Sequence, residues 1–256
     1  MTKTFLLGVG AQKSGTTWLY HYLSEQPMVN FGDRKEYHIW DGLYVNRCRD
    51  MLATPEDALI YKLQNEDGAY ESYFSSLIND TISFTGDISP SYCGLSPKHF
   101  ALIKKKLEDA GFNVKVIFLM RDPFERCWSA VRMSRCNLHS DNSEIEDLRT
   151  AYQLWSFTFR TNYKHTVKSL ESVFEKKQIF YGIYEELFTV DNLKAITNFC
   201  CLPFNEGIEI KKYNVSPKLD YEAEMLREEI RKYFSDVYEF CYERFPQTKT
   251  LWAHTT

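Results

Sequence analysis

Gly10 and Gly15 bracket a loop in GVGAQKSGTTW (8–18), with Lys13 and Ser14 inside it and Thr16, Thr17 and Trp18 directly after. Glycines at this spacing let backbone N–H groups converge on an anion, and a helix starting near Thr16 adds its positive end. Lys13 brings a full charge and the three hydroxyls bring donors, so the loop reads as a phosphate cradle. The pattern nearly matches G-x-x-x-x-G-K-[ST], where the lysine follows the second glycine and the next hydroxyl holds Mg²⁺. Here Thr16 occupies the lysine position and Lys13 precedes Gly15 by two residues. The loop therefore lacks an obvious magnesium partner. By spacing alone, an ordinary strand-to-helix turn with surface polar residues reads the same way.

A second candidate lies in LMRDPFERCWSAVRMSR (119–135). The planar fork of Arg121 suits paired, charge-assisted bonds to phosphate oxygens. Ser129 falls about two helical turns later. A bend at the strand end would let both face one pocket. A salt bridge for Arg121 and a helix-packing role for Ser129 are the plainer alternatives.

These residues need a scaffold that brings them together. Thr4 to Val9 and Val114 to Met120 read as buried strands, with a third candidate at Ile179 to Tyr181. Helical spacing follows from Thr17 to Pro27, after Pro123, which suits a first helical turn, and from Asp191 to Cys200. Asp122 is placed to cap the second of these. Further helical patterns fall near 69–78, 97–109, 145–174 and 221–244. Alternating strands and helices predict an α/β fold, a P-loop-like three-layer sandwich with a central, mainly parallel sheet flanked by helices. Ligands in such sheets bind beyond the carboxyl ends of the strands, where Gly10 to Gly15 would lie.

Composition sets the bounds. The 256 residues are 44% hydrophobic and 16% aromatic, with no linker, repeat or low-complexity run, so a single domain over 1–256 is expected. The formal charge of −4 gives no general attraction for nucleic acid or an anionic membrane. No apolar run approaches the roughly 18 residues of a membrane span. The first strand begins too near Met1 for a signal peptide, so a cytoplasmic protein is expected. Seven cysteines without C-x-x-C or zinc spacing read as free thiols, and no metal site is expected.

The stretch GAQKSGTTWLYHYLSEQP resembles the 5′-phosphosulfate loop of sulfotransferases that use 3′-phosphoadenosine-5′-phosphosulfate (PAPS). The second stretch resembles that family's R-D-P-x-x-R-x-x-S, in which the arginine and serine, here Arg121 and Ser129, bind the donor's 3′-phosphate. GDRKEYHIW (32–40), TGDISPSY (85–92), YEEL (184–187) and NVSPK (214–218) resemble segments of the carbohydrate branch related to heparan sulfate 3-O- and N-sulfotransferases. The resemblance implies PAPS as donor, adenosine 3′,5′-bisphosphate (PAP) as product, no metal, and a hydroxyl or amine acceptor on a glycan. It implies a donor site at Lys13, Ser14, Gly15, Thr16, Thr17, Trp18, Arg121 and Ser129, with Lys13 also assisting catalysis. It also puts Glu36 in the role of base, with His38 as alternative base or acceptor-orienting group.

In an extended segment Glu36 and His38 would share a face. Partial burial would raise the carboxylate's pKa toward neutrality. Otherwise Glu36 is a solvated charge beside Lys35. One departure stands out, since relatives carry a lysine in G-E-K-S-P where this chain has Ile88, and Asp87 replaces their glutamate. Either Lys13 alone serves the transferring group or another cation substitutes. Lys211, Lys212 and Lys218 could close over the donor or form a solvated cluster. The aromatic stretches 37–44 and 152–159 could line an acceptor cleft or pack a core. The rivals are a P-loop kinase or NTPase, which wants a lysine at position 16 and a strand-end acid, and a non-catalytic anion- or glycan-binding relative.

Overall fold

A computed structural model describes residues 3–138, 142–204 and 221–253. Four strands, β1 (Thr4–Gly8), β2 (Phe84–Ile88), β3 (Asn113–Met120) and β4 (Ile179–Ile183), form one parallel sheet in the order β2-β1-β3-β4. Successive strand residues point to opposite faces. Accordingly Phe5, Leu7, Val116, Phe118 and Met120 enter one buried cluster, while Leu6, Ile117 and Leu119 enter a second. A sheet that is apolar on both faces has to be covered by helices on both.

In chain order the helices are α1 (Thr16–Ser24), α2 (Ile39–Tyr44), α3 (Ala58–Asn65), α4 (Ala69–Ser76), α5 (Pro97–Asp109) and α6 (Pro123–Leu138). They continue with α7 (Glu144–Ala151), α8 (Trp155–Thr161), α9 (Tyr163–Glu171), α10 (Val190–Cys200), α11 (Tyr221–Tyr233), α12 (Ser235–Arg244) and α13 (Thr248–Leu251). Trp18, Leu19 and Leu23 of α1 and Leu193 and Ile196 of α10 cover the second cluster. Phe74 of α4, Phe100 and Ile103 of α5, Val167 of α9 and Cys241 of α12 cover the first. The result is the three-layer α/β arrangement expected from the sequence.

Strand β2 departs from expectation, because FTGDI has no apolar run. Gly86 and Asp87 are nonetheless fully inside it, paired with Leu6 and Leu7. A Cβ on Gly86 would sit 2.3 Å from the Leu6 carbonyl oxygen, so only glycine fits there. The helical pattern at 145–174 divides into α7, α8 and α9. Leu154 is extended before α8, and the Asn162 side chain caps α9 by accepting from His165 N. The pattern at 221–244 breaks at the buried Phe234, whose backbone leaves helical geometry. Among the described residues, the six cysteines 48, 93, 127, 200, 201 and 241 are free thiols, and no helix is long and apolar enough to cross a membrane.

Candidate active site

Past β1 the chain stays hydrogen-bonded to β3. Val9 N donates to Ile117 O at 3.0 Å, Ala11 N to Leu119 O at 2.6 Å, and Leu119 N to Gly10 O at 2.8 Å. The loop is thus laid along the strand that runs into Arg121. Lys13 and Gly15 both have left-handed backbones, at φ 69° and 93°. At Gly15 the positive φ favours glycine, and a Cβ there would also stand 2.5 Å from Leu187 Cδ2, which would have to shift. Gly15 precedes α1, whose first turn has neither a side-chain cap nor an acidic residue. The helix presents its positive end to the loop uncompensated.

Arg121 is 6% exposed and donates from Nη1 to the Lys13 carbonyl at 3.4 Å. Its Nη2 donates to Glu125 Oε2 at 3.2 Å, its guanidinium lies 4.3 Å from the Tyr184 ring centre, and its Nε has no partner among the described residues. Glu125 also accepts from Arg227 of α11 at 3.0 Å. Asp122 caps α6 through Oδ1, accepting from Glu125 N at 3.0 Å.

One cavity takes in nearly every residue singled out from sequence: Lys13, Gly15, Thr16, Thr17, Trp18, Glu36, Arg121 and Ser129. Gln12, Pro90, Met133, Tyr184 and Phe188 complete its wall. Two expected residues stand behind it. Ser14 is fully buried with its hydroxyl unpartnered among the described residues, and His38 backs Glu36. Lys211, Lys212, Lys218 and NVSPK lie outside the described residues.

Glu36 and His38 meet, though not through an extended segment. His38 has a left-handed backbone (φ 54°) at the start of α2, and its Nε2 lies 3.1 Å from Glu36 Oε2. Its Nδ1 lies 2.7 Å from Oδ2 of Asp41, which is fully buried. Burial alone would depress the imidazole, but the bonds to Asp41 and Glu36 outweigh it and push its pKa up to about 10. His38 is therefore an imidazolium at neutral pH, already holding the proton a base would take. The expectation for Glu36 is overturned in direction. Burial does push its pKa up, but the His38 hydrogen bond and the Lys35 charge and hydrogen bond prevail and hold it below the ordinary carboxylate value. Sequence reasoning missed Asp41. Its signal was an acid three residues after a histidine at a helix start.

A model of the sulfotransferase family matches residues 6–206. The chain belongs to the sulfotransferase family. Over 95% of its length, and 96% of the other chain, it superposes on a sulfotransferase from Alicyclobacillus acidocaldarius with TM-score 0.65 at 20% identity. A sulfotransferase domain from the curacin biosynthetic pathway aligns over 80% of this chain and 75% of its own, with TM-score 0.51 at 19% identity. At these identities the likeness is one of fold. In sequence, 129 residues, 49% of the chain, are 28% identical to the membrane-associated sulfotransferase kil1 of Dictyostelium discoideum, and the match spans 22% of that relative's length.

Asp87 explains how the chain fixes the segment bearing Glu36. It is fully buried, and its Oδ1 accepts from Ser89 Oγ at 2.6 Å. Its Oδ2 accepts from Tyr92 at 2.5 Å and Tyr70 at 3.1 Å. Burial pushes its pKa up to about 6 against the pull of the Ser89 and Tyr92 bonds. Ser89 Oγ in turn accepts from Tyr37 N at 3.0 Å and His38 N at 3.1 Å. Asp87 is thus an acid near a strand end, as a nucleotide kinase would want. Its oxygens are already surrounded by hydroxyl donors rather than presented to a metal. Ile88, also fully buried, packs in the second cluster with Trp18 and Ile117.

Proposed function

We propose that the chain, as one catalytic domain over 1–256, transfers a sulfuryl group from PAPS to a hydroxyl or amine acceptor on a carbohydrate, leaving PAP. The carrying observation is the convergence of Lys13 and Arg121 on one cavity. Two buried polar atoms fit an anion as well. Ser14 Oγ and Arg121 Nε have no partner among the described residues, and buried polar groups are otherwise nearly always paired.

In this reading Lys13, Ser14, Thr16, Thr17 and the open end of α1 hold the 5′-phosphosulfate, while Arg121 and Ser129 hold the 3′-phosphate. Trp18, 5.2 Å in ring-centre distance from Phe188 in an edge-on pair, offers an apolar wall for the base. When bound, the donor supplies a sulfuryl group that passes in line to the acceptor. Fixed donors at Lys13 and the helix end stabilise charge on the leaving phosphate, with positioning and electrostatics as the main catalytic effects. Glu36 takes the acceptor's proton. His38, held by Asp41, orients Glu36 and is itself too basic to serve as the neutral proton acceptor. The carbohydrate assignment rests on the likeness of 32–40, 85–92 and 184–187 to the heparan sulfate branch.

Thermal shift tests the donor class directly. PAP stabilises the protein through linkage, and Mg-ATP at the same concentration does not. Stabilisation by Mg-ATP alone would favour the kinase reading. Radiolabelled PAPS with a panel of glycans, phenols and lipids then separates an enzyme from a binding relative.

A further inference from the structure

With Ile88 buried in the apolar cluster, the end of β2 offers the cavity no cation. The neighbouring segment carries one, Lys35, in contact with two residues of the cavity wall, Thr16 and Glu36. The Lys35 carbonyl accepts from Ile88 N at 3.2 Å, which fixes Lys35 beside that strand end. The next residues are anchored on Ser89 Oγ. The Lys35 side chain is only 16% exposed, and its Nζ donates both to Thr16 Oγ1 at 3.4 Å and to Glu36 Oε1. The ammonium therefore stands between the first residue of α1, where an anion is favoured, and the carboxylate that faces the cavity.

We propose that Lys35 is a catalytic residue, whose ammonium leaves Glu36 for the oxygens of the transferring sulfuryl group and so stabilises the transition state while freeing Glu36 to accept a proton. The proposal rests on the PAPS reading above. A lysine suits it, being a compact charge on a flexible four-carbon stem. In the transfer, the bond from sulfur to the bridging phosphate oxygen breaks with its electron pair going to that oxygen. The acceptor oxygen bonds to sulfur, its proton passes to Glu36, and Lys35 keeps its own protons. Glu36 is faced by Lys35 and His38 on its own segment, with Asp41 behind His38 on α2, and Lys13 and Arg121 line the same cavity. Removing Lys35 deletes one of the two contacts that hold Glu36 low.

Wild type, Lys35→Met and Lys35→Arg are compared by PAP calorimetry and by release of label from radiolabelled PAPS to water and to the best glycan of the panel, across pH. PAP affinity of Lys35→Met should stay within about threefold, because PAP lacks the sulfuryl group. Its kcat should fall about 100-fold, in the range for losing a transition-state donor. The acidic limb of its kcat/KM profile should move to higher pH, and Lys35→Arg should recover at least about a tenth of the rate. A Lys35→Met enzyme with wild-type turnover, an unmoved acidic limb, or a turnover loss fully explained by lost PAP binding overturns the assignment. A wild type that neither binds PAP nor releases label overturns the PAPS reading and the assignment with it.

Discussion

Arg121, at the end of β3, donates through Nη1 to the main-chain carbonyl of Lys13 at 3.4 Å, joining residues 108 positions apart. The contact follows from sheet order. β1 and β3 are adjacent and parallel, so the loop after one and the turn after the other emerge side by side. Two basic side chains on separate βα units thus line one cavity, at the strand ends where parallel sheets bind ligands.

Both cations should then matter to a single ligand. Lys13→Ala and Arg121→Ala are each expected to weaken PAP binding about 10- to 100-fold, as for loss of a charged hydrogen bond worth about 1.5–3 kcal/mol. Ser129→Ala should cost less, about three- to tenfold. Calorimetric titration with PAP measures all three, and an unchanged affinity in Arg121→Ala would remove it from the site.

Glu36→Gln separates binding from chemistry. Its PAP affinity should lie within about twofold of wild type while kcat drops about 10²- to 10⁴-fold, the range for a general base. Donor binding lost in parallel with turnover would deny Glu36 the role of base.

The pH behaviour follows from the charged neighbours. With Glu36 held below the ordinary carboxylate value, kcat/KM should stay level from neutrality down into the acid range. An alkaline limb should appear as His38 loses its proton near pH 10. Asp41→Asn removes the strongest support for the imidazolium, so that limb should move down toward the ordinary histidine value of about 6.5. The same shift acts on stability. A folded pKa above the unfolded one contributes fully below about pH 6.5 and is lost as pH rises through about 10. Asp41→Asn should therefore destabilise more at pH 6 than at pH 10, as read from melting temperatures.

Behind Arg121, Glu185 accepts from Asp122 N at 3.1 Å and from Trp252 Nε1 at 2.9 Å. Burial pushes its pKa up to about 7 despite those two bonds. Its charged form is the costly one, so the stability it contributes falls as pH rises through about 7. Trp252→Phe deletes a donor to that carboxylate at a fully buried position. It should cost about 1–3 kcal/mol, more at pH 8 than at pH 5.5. Equal losses at the two pH values would show that Glu185 does not feel the indole N–H.

Much of this was legible in the sequence because the signals were local. The runs at 4–9 and 114–120 are apolar on both faces, and the polar residues after each begin where the strand stops. Strand β2 was not legible. Gly86 is there because Leu6 of another strand comes close, and Asp87 because Ser89, Tyr70 and Tyr92 gather round it. Both causes are tertiary. The low pKa of Glu36 escaped for the same reason. Burial was foreseeable, but the geometry that aims Lys35 and His38 at the carboxylate depends on the left-handed turn at His38. Asp41 and Lys35 were visible as letters, and only the fold gives them work.

A crystal structure of the chain with PAP tests the central claim most directly. The 5′-phosphate is expected in the loop of Lys13 to Thr17 and the 3′-phosphate against Arg121 and Ser129, spanning one cavity. Density for the nucleotide at any other place, or with only one of its phosphates on these residues, would contradict it.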